Sequence, residues 1–274
     1  MTNNQLTSNP ILAYDLESLQ QALLELARVG KRVALVPTMG ALHAGHAALI
    51  KQGSELADAV VVSIFVNPTQ FGAGEDFDRY PRTLEADVEV AKAAGASVIY
   101  APSVEDMYPD GFATSISAGE MGNILCGKFR AGHFDGVATV VTKLLLRVMP
   151  HIAIFGQKDY QQLAIIRRVV EDLDIPSEII GAEIVREADG LALSSRNRYL
   201  SASERAIAPL LYKTLRETAA EMAAIGAEAS IAKGIKALTE AGFKVDYLEV
   251  FDDHLLVAAW LGNTRLIDNV ELDL

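Results

Sequence analysis

The strongest constraint on the fold is an alternation of strand-like and helix-like segments through residues 16–185. Residues 60–66 are almost continuously apolar, which is typical of a strand that is buried on both faces of a sheet. Consecutive strands that are separated by helices need crossover connections, and these place the strands parallel. The predicted strands are residues 32–38, 59–66, 97–101, 151–155 and 178–185, and the predicted helices are residues 16–29, 47–56, 83–94, 137–149 and 160–173.

The pattern changes after residue 185. Residues 186–201 are polar, and they are followed by helical patterns at 202–225 and 229–241. Three β-like runs end the chain, at residues 244–251, 255–261 and 264–267, and the last can continue through 270–272. Short turns between such runs indicate an antiparallel sheet. The predicted fold class is therefore α/β, a Rossmann-like parallel sheet with crossover helices in residues 1–185, plus a smaller C-terminal α+β domain with an antiparallel sheet in residues 186–274.

The charge and the cysteine content limit the class of protein. The net charge of -12 disfavours nucleic-acid binding, which needs a basic face. The single cysteine, Cys126, cannot form an intrachain disulfide, which suits a reducing cytosol. The first residues are polar, and the apolar runs are far shorter than the roughly 20 residues of a membrane span. We expect a soluble cytoplasmic protein with no membrane or nucleic-acid partner.

Two histidines mark the most informative turn. His43 and His46 lie between the strand-like residues 32–36 and the helix predicted from residue 47. Helix N-termini attract phosphate because their N–H groups are free and carry partial positive charge. Histidines there can add hydrogen bonds, and a cationic imidazole would stabilise charge that develops on a phosphate. We predict a phosphate site rather than a metal site, since no third ligand is evident.

Three more polar segments follow predicted strands or the domain boundary. Gln70 offers an uncharged donor and acceptor suited to a small polar acid, although an Asn-Pro turn alone would explain that segment. Lys158 suits a phosphate or carboxylate, and Gln162 lies one helical turn further on. Arg196 lies among serines, either in a solvated loop or in a phosphate cradle. At these positions a ligand site and an ordinary turn both remain open.

The polar stretch at residues 127–136 is predicted to be a mobile loop because it is flanked by glycines. Arg130, His133 and Asp135 either contact a substrate carboxylate or phosphate or simply belong to a surface loop. Cys126 has no companion histidine at a diagnostic spacing, so it is predicted to be inert.

The histidine turn resembles the H-x-G-H turn of the nucleotidyltransferase superfamily, and the chain as a whole resembles the pantoate–β-alanine ligase family. The matching motifs occur in order at residues 37–43, 65–68, 80–83, 107–109, 156–163, 186–192 and 194–197. The family usually has glutamate at position 126 and proline at position 131, where this chain has Cys126 and Ala131. The resemblance therefore implies no role for the side chains of that loop.

The resemblance implies a two-step reaction. ATP and (R)-pantoate would give pantoyl adenylate and pyrophosphate, after which β-alanine would attack the acyl carbon and release AMP. It also implies Mg2+ on the ATP phosphates, a homodimer, and a C-terminal domain that closes as a lid over the site. No metal ligand from the protein itself is predicted.

The resemblance also implies roles for individual residues. His43, His46, Lys158 and Arg196 would be catalytic, with His46 as the proton donor. Gln70 and Gln162 would bind pantoate, and Gln70 would also bind β-alanine. The ATP site would comprise Met39, Gly40, Ala41, Leu42, His43, Ala44, Gly45, His46, Gly156, Gln157, Lys158, Asp159, Val185, Leu193, Ser194, Ser195 and Arg196.

Two other functions share the histidine turn. A plain nucleotidyltransferase would transfer AMP to a phosphorylated cofactor precursor and stop, but it would not need the two glutamines. A nucleotide-sensing module would bind ATP without turnover. A tRNA synthetase is disfavoured by the acidic charge and by the lack of an appendage for the anticodon.

Overall fold

The structure is a computed structural model that describes residues 9–72 and 74–272. Its strands are β1 (Ile11–Ala13), β2 (Val33–Thr38), β3 (Ala59–Ile64), β4 (Val98–Tyr100), β5 (Ile152–Gly156), β6 (Glu178–Ala182), β7 (Lys244–Phe251), β8 (His254–Leu261) and β9 (Thr264–Glu271). Its helices are α1 (Leu16–Arg28), α2 (Ala44–Leu56), α3 (Leu84–Ala93), α4 (Val104–Met107), α5 (Cys126–Phe129), α6 (His133–Val148), α7 (Tyr160–Asp172), α8 (Ala202–Ile207), α9 (Leu210–Ile225) and α10 (Ala227–Glu240). No helix in the described ranges is long and apolar enough to cross a bilayer.

The first six strands form one sheet in the order β1-β4-β3-β2-β5-β6, and every pairing is parallel. The chain moves outward from β2 through β3 and β4 on one side and through β5 and β6 on the other. The strand order therefore reverses between β2 and β5. In open α/β sheets, ligands bind outside the carboxyl ends of the strands at such a switch point.

Helices cover both faces of this sheet. Leu35 and Val61 belong to an apolar cluster that includes residues of α6, whereas Val36 and Val62 belong to a second cluster that includes Ile50 of α2. Successive side chains of a strand point to opposite faces, so a strand with both faces covered is apolar at nearly every position. The apolar run of β3, which only Ser63 interrupts, has this cause, and the predicted parallel sheet is confirmed.

The C-terminal region forms a three-stranded antiparallel sheet in the order β7-β8-β9, as predicted. Its core contains Leu211 and Leu215 of α9 and Leu238 of α10, packed against Val257 and Leu266 of the sheet. The parallel sheet ends at residue 182 and α8 starts at residue 202, so the intervening segment joins the two parts.

The small sheet is attached to the turn that follows β5. The side-chain amide of Asn269 in β9 donates to the backbone carbonyls of Gln157 and Lys158, at 2.8 and 3.1 Å. Tyr160 donates its hydroxyl proton to Asp253 at 2.7 Å and stacks on His254. The C-terminal region therefore contacts one wall of the switch point directly.

Several predicted bounds were wrong. The predicted helix 202–225 is two helices, because Pro209 lies in the middle and cannot donate a backbone hydrogen bond to a continuous helix. The last strand of the parallel sheet ends at residue 182 rather than 185. Strand β1 was missed because three residues are too few to show a period.

Two helices begin earlier than predicted, and both shifts affect the site. Helix α2 begins at residue 44 rather than 47, which makes His43 its N-cap. Helix α6 begins at residue 133 rather than 137 and buries His133. Polar residues at these N-termini hid the start of each helix from a search for apolar periodicity.

Candidate active site

A cavity of about 230 Å³ lies at the carboxyl ends of β2, β3 and β5. It adjoins a cleft of about 1210 Å³ between the parallel sheet and the C-terminal region, and the two share Lys158, Asp159, Gln162, Ser194 and Arg196. The predicted site residues that line the smaller cavity are Met39, His43, Gly45, His46, Gln70, Gly156, Lys158, Asp159, Gln162, Val185, Leu193, Ser194, Ser195 and Arg196. Segments far apart in the sequence thus meet at the switch point.

The two histidines hold each other and the start of α2. His43 Nδ1 accepts a hydrogen bond from the Gly45 backbone N–H at 3.1 Å, and His46 Nδ1 accepts one from the His43 backbone N–H at 3.3 Å. The ring centroids are 4.1 Å apart. An imidazole nitrogen that accepts must be unprotonated, so each neutral ring carries its proton on Nε2. Both side chains are therefore oriented as N–H donors at the edge of the cavity.

Both histidines are neutral at pH 7. Burial, with the positive charges of Lys158 and Arg198, lowers the pKa of His43 from 6.5 to about 4. Burial and the neighbouring His43 and Lys158 lower the pKa of His46 to about 3. With no anion in the cavity both rings are therefore neutral, and a proton on Nδ1 would break the bond to the backbone. A cationic imidazole beside the phosphates during the reaction remains a prediction.

The backbone N–H groups of the turn that precedes the histidines already have a hydrogen-bond partner within the protein. The buried carboxylate of Asp87 in α3 accepts hydrogen bonds from the N–H groups of Ala41 and Leu42, at 3.0 and 2.7 Å. Gly40, Ala41, Leu42 and Ala44 do not line the cavity. Any contact of these four residues with a nucleotide therefore remains a prediction.

Gln70 is buried in a short 3-10 turn after β3. Its Oε1 accepts from the Asn67 side-chain amide at 3.0 Å, and its amide nitrogen lies 3.2 Å from the sulfur of Met39. Tyr108 donates its hydroxyl proton to Asn67 at 2.8 Å. Apolar side chains of α6 form the adjacent wall, namely Val137, Val140, Val141 and Leu144. The result is a pocket with an amide on one side and branched apolar side chains on another.

The turn after β5 contributes Lys158 and Gln162. Lys158 is 21 % exposed, and its ammonium lies 3.7 Å from the carboxylate of Asp159. Gln162 follows on α7 and lines the same cavity, as the helical spacing predicted. The side chain of Gln157 does not line the cavity, although its backbone carbonyl accepts from Asn269. A cation and an amide therefore face the histidines across the switch point.

Arg196 reaches the cavity from the segment that joins the two parts of the chain. Its guanidinium donates from Nε and Nη2 to the carboxylate of Asp76, at 3.0 and 2.9 Å. Ser194 caps this turn by accepting from the Arg196 backbone N–H at 3.2 Å, and Ser195 lies 3.4 Å from the hydroxyl of Tyr80. A guanidinium that binds a carboxylate in two places is suited to exchange it for a phosphate.

Residues 127–136 lie mostly in two helices, α5 and α6, and do not form the mobile loop that their glycines suggested. Arg130 forms two hydrogen bonds with Glu75, at 2.7 and 2.6 Å, and also contacts His133. His133 Nδ1 lies 2.7 Å from the backbone carbonyl of Gln70, and Asp135 accepts from the Ala118 N–H at 2.7 Å. The segment packs behind Gln70 because α5 and the early start of α6 order it. Cys126 is buried there.

Two carboxylates that hold site segments in place, Asp87 and Asp76, were not predicted from the sequence. Asp87 lies three residues after Leu84 and four before Ala91, on the apolar face of α3, which is the signal that could have indicated its burial. Asp76 carries no such signal, because a charged residue in a polar segment is ordinarily expected to be exposed to solvent. Both carboxylates contact site segments that are distant in sequence.

Comparison with known proteins identifies close relatives. A family model described as "Pantoate-beta-alanine ligase" matches residues 12–271. Pantothenate synthetase from Rhodospirillum rubrum is 54% identical over 257 residues, which is 88% of this chain and 91% of that protein. Pantothenate synthetase from Pseudomonas fluorescens is 52% identical over 275 residues, 93% of this chain and 96% of that protein.

Solved structures agree. Pantothenate synthetase from Thermus thermophilus superposes with a TM-score of 0.89 at 42% identity, covering 95% of this chain and 99% of that one. The pantoate-beta-alanine ligase from Francisella tularensis, described as complexed with beta-gamma ATP and beta-alanine, gives a TM-score of 0.85 at 37% identity, covering 96% of this chain and 97% of that one.

Proposed function

The chain belongs to the pantoate-beta-alanine ligase family, and on that premise we propose that the cavity at the switch point binds ATP along the histidine turn and (R)-pantoate beside Gln70 and Gln162. The protein is a ligase that condenses pantoate with β-alanine at the expense of ATP, through a pantoyl adenylate, and releases AMP and pyrophosphate. The observation that carries the assignment of residues is the meeting of two phosphate-type segments with two amide side chains in one cavity.

The first step needs positioning more than it needs a protein nucleophile. A carboxylate oxygen of pantoate attacks the α-phosphorus of ATP, and the bond to pyrophosphate breaks. Charge moves onto the phosphate oxygens and the departing pyrophosphate. Neutral Nε2–H donors from His43 and His46, with the cations Lys158 and Arg196, supply complementary groups at the cavity wall. Ser194 and Ser195 add hydroxyl donors, and Gly156, Val185 and Leu193 shape the same wall.

Pantoate fits the remaining part of the cavity by chemistry. It carries two hydroxyls and a carboxylate on a carbon chain that bears two methyl groups. Gln70 and Gln162 offer amide donors and acceptors for the oxygens, whereas Val140, Val141 and Leu144 offer an apolar surface for the methyl groups. An uncharged amide pair also avoids neutralising the carboxylate that must act as the nucleophile.

The second step forms the amide bond. The nitrogen of β-alanine attacks the acyl carbon of the adenylate, the bond to the AMP oxygen breaks, and the nitrogen loses a proton to solvent. We propose that Gln70 also contacts β-alanine, which would reach the adenylate through the cleft between the two parts of the chain. The cleft meets the cavity at Lys158, Gln162 and Arg196, where both substrates have access.

Mg2+ would be held mainly through the ATP phosphates. Mg2+ in ATP-using enzymes is typically bound by one or two carboxylates together with substrate phosphates. Asp159 and Glu183 line the cavity and suit this mode, and residues 9–72 and 74–272 contain no cluster of three histidine, cysteine or acidic ligands. The bound ion would supply positive charge that neutralises the phosphates.

We further propose that residues 186–274 act as a lid domain on the 1–185 domain and that the chain works as a homodimer in the cytoplasm, as the family resemblance implies. The single cysteine is compatible with a reducing compartment. Light scattering on the purified protein tests the assembly. A mass equal to that of one chain would contradict the dimer.

One assay tests the function. The protein is incubated with ATP, Mg2+, pantoate and β-alanine, each is omitted in turn, and pyrophosphate and AMP are followed separately. Pyrophosphate release that requires pantoate, with free AMP only after β-alanine is added, is the expected result. AMP transfer to a phosphorylated acceptor would indicate a nucleotidyltransferase, and ATP binding without any product would indicate a sensor.

A further inference from the structure

We propose that Asp87 is a positioning residue for adenylate formation, acting as a built-in anion that holds the backbone at residues 40–42 and thereby aims His43 and His46 at the nucleotide. The inference rests on the proposed role of the histidine turn in binding ATP. Asp87 does not line the cavity and contacts only the backbone of Ala41 and Leu42 and the hydroxyl of Thr83, so its influence passes through the turn.

The geometry around Asp87 is specific. Oδ2 accepts from the Ala41 N–H at 3.0 Å and from the Thr83 hydroxyl at 3.2 Å, while Oδ1 accepts from the Leu42 N–H at 2.7 Å. Asp87 is 2% exposed. Both carboxylate oxygens are therefore used, and two of the three donors are the backbone of the turn itself.

The turn has a conformation that needs such an anion. Gly40 and Ala41 have φ values of +83° and +51°, in the left-handed region that is costly for alanine. Successive N–H groups in a turn that includes left-handed residues converge into a concave anion site, of the kind that binds phosphate in other proteins. Here the Asp87 carboxylate occupies it, and a Cβ on Gly40 would approach Oδ2 to 3.0 Å.

This arrangement has a consequence for the substrate. Since the N–H groups of Ala41 and Leu42 are bonded to protein, the phosphates of ATP must be bound by what comes next, the His43 and His46 side chains and the facing cations. The turn leads directly into the His43 N-cap, so a loss of the carboxylate bonds would move both imidazoles. A misplacement of about 1 Å at a reacting centre can cost roughly 10²-fold in rate.

The primary test is Asp87→Asn, measured in pantoate-dependent pyrophosphate release. An amide retains one acceptor oxygen and turns an N–H donor toward the other backbone N–H. We expect kcat/KM for ATP to fall by roughly 10- to 100-fold, as for the loss of a hydrogen bond to a charged group. KM for pantoate is expected to change by less than about twofold, because its proposed contacts are elsewhere. Glu89→Gln, the same change at an exposed position of α3, is the matched control and should behave as wild type.

A spectroscopic readout separates positioning from general destabilisation. In 15N-labelled protein, the imidazole signals of His43 and His46 should show the Nε2–H tautomer, and in Asp87→Asn they should shift or broaden. His151 and His254, away from the turn, serve as internal references and should not move. Unchanged His43 and His46 signals together with an unchanged KM for ATP would overturn the proposal.

If Asp87→Asn does not fold, Thr83→Val gives the answer, because it removes one donor to Oδ2 without touching the turn. We expect KM for ATP to rise by about two- to fivefold while KM for pantoate stays constant. Equal changes in both KM values, or none, would overturn the proposal. Wild-type protein that releases no pyrophosphate with pantoate would instead contradict the proposed function, which keeps the two failures distinct.

Discussion

The two halves of the site are held by different kinds of interaction. One half consists of His43, His46 and Gln70, which follow β2 and β3, and the other consists of Ser194, Ser195 and Arg196, which lie in the segment that joins the two parts of the chain. His43 and His46 are fixed by hydrogen bonds within one turn of α2, with neutral partners on both sides. Arg196 is fixed by an ion pair with Asp76, whose side chain and its own are 16% and 30% exposed.

This difference indicates that one half already has its donors in place for phosphate, whereas the other must first release a carboxylate. A neutral hydrogen bond between a ring nitrogen and the backbone holds the donor on the opposite ring nitrogen in place for a ligand. The Arg196–Asp76 pair is held by charge, and a guanidinium that binds a carboxylate through two N–H groups can bind a phosphate in the same way. We therefore expect phosphate to find the histidines ready and to displace Asp76 from Arg196.

The largest effect is expected for His46→Ala. The variant loses an Nε2–H donor that is already aimed at the cavity, so we expect the rate of pyrophosphate release to fall by about 10²-fold or more. His151→Gln, a change at an exposed histidine away from the cavity, is the control. Near-normal turnover in His46→Ala would remove this residue from the mechanism and weaken the contrast between the halves.

A paired comparison of Arg196→Ala and Asp76→Asn tests the exchange. Loss of the guanidinium should lower kcat/KM for ATP by roughly 10- to 100-fold, because a charge-assisted contact to phosphate is lost. Loss of the carboxylate should leave KM for ATP unchanged or lower it, because the guanidinium no longer has a competing anion. Equal losses in the two variants would mean that the ion pair itself, rather than phosphate binding, is the role of Arg196.

A smaller effect separates the two substrates within the half that contains His43, His46 and Gln70. Gln70→Ala should raise KM for pantoate by about tenfold, since a buried amide contact is lost, while KM for ATP stays near the wild-type value. Gln21→Ala, the same change at an exposed position of α1, is the matched control. An unchanged requirement for pantoate in Gln70→Ala would contradict the assignment.

The smallest effect is on stability as a function of pH. The pKa values of His43, His46 and His133 are lowered by burial to about 4, 3 and 4, from 6.5 in the unfolded chain. Below pH 6.5 the unfolded chain binds protons that the folded one does not, so the free energy of unfolding should fall as the pH drops from 6.5 toward 4. Urea unfolding at a series of pH values between 6.5 and 4 measures this free energy. A stability that is constant from pH 6.5 to pH 4.5 would show that these rings are not held neutral.

Much of the fold was predictable because it is encoded locally. The alternation of apolar strands with helices indicated the parallel sheet, whereas the strand order and its switch point came only from the structure. The predicted helix bounds were wrong where a short local feature overrode the apolar periodicity. Pro209 divided one predicted helix, and polar N-terminal residues hid the beginnings of α2 and α6.

The side chains that line the candidate site could be predicted from the sequence, but the carboxylates that hold them in place could not. His43, His46, Lys158 and Gln162 were predicted from their positions after strands and at helix starts, and they do line one cavity. The lowered pKa values of the histidines were not predicted, because the burial and the facing cations that cause them come from distant segments.

The sequence by itself determined the order of the elements and the helix-start position of the histidines, because periodicity and capping depend on residues within a few positions of each other. Only the tertiary structure decided that Asp87 holds the histidine turn and that Asp76 holds Arg196. A carboxylate in a polar segment has many possible hydrogen-bond partners, and most of those contacts contribute little free energy. The packing of α3, and the placement of the segment that joins the two parts of the chain, select the partner in each case.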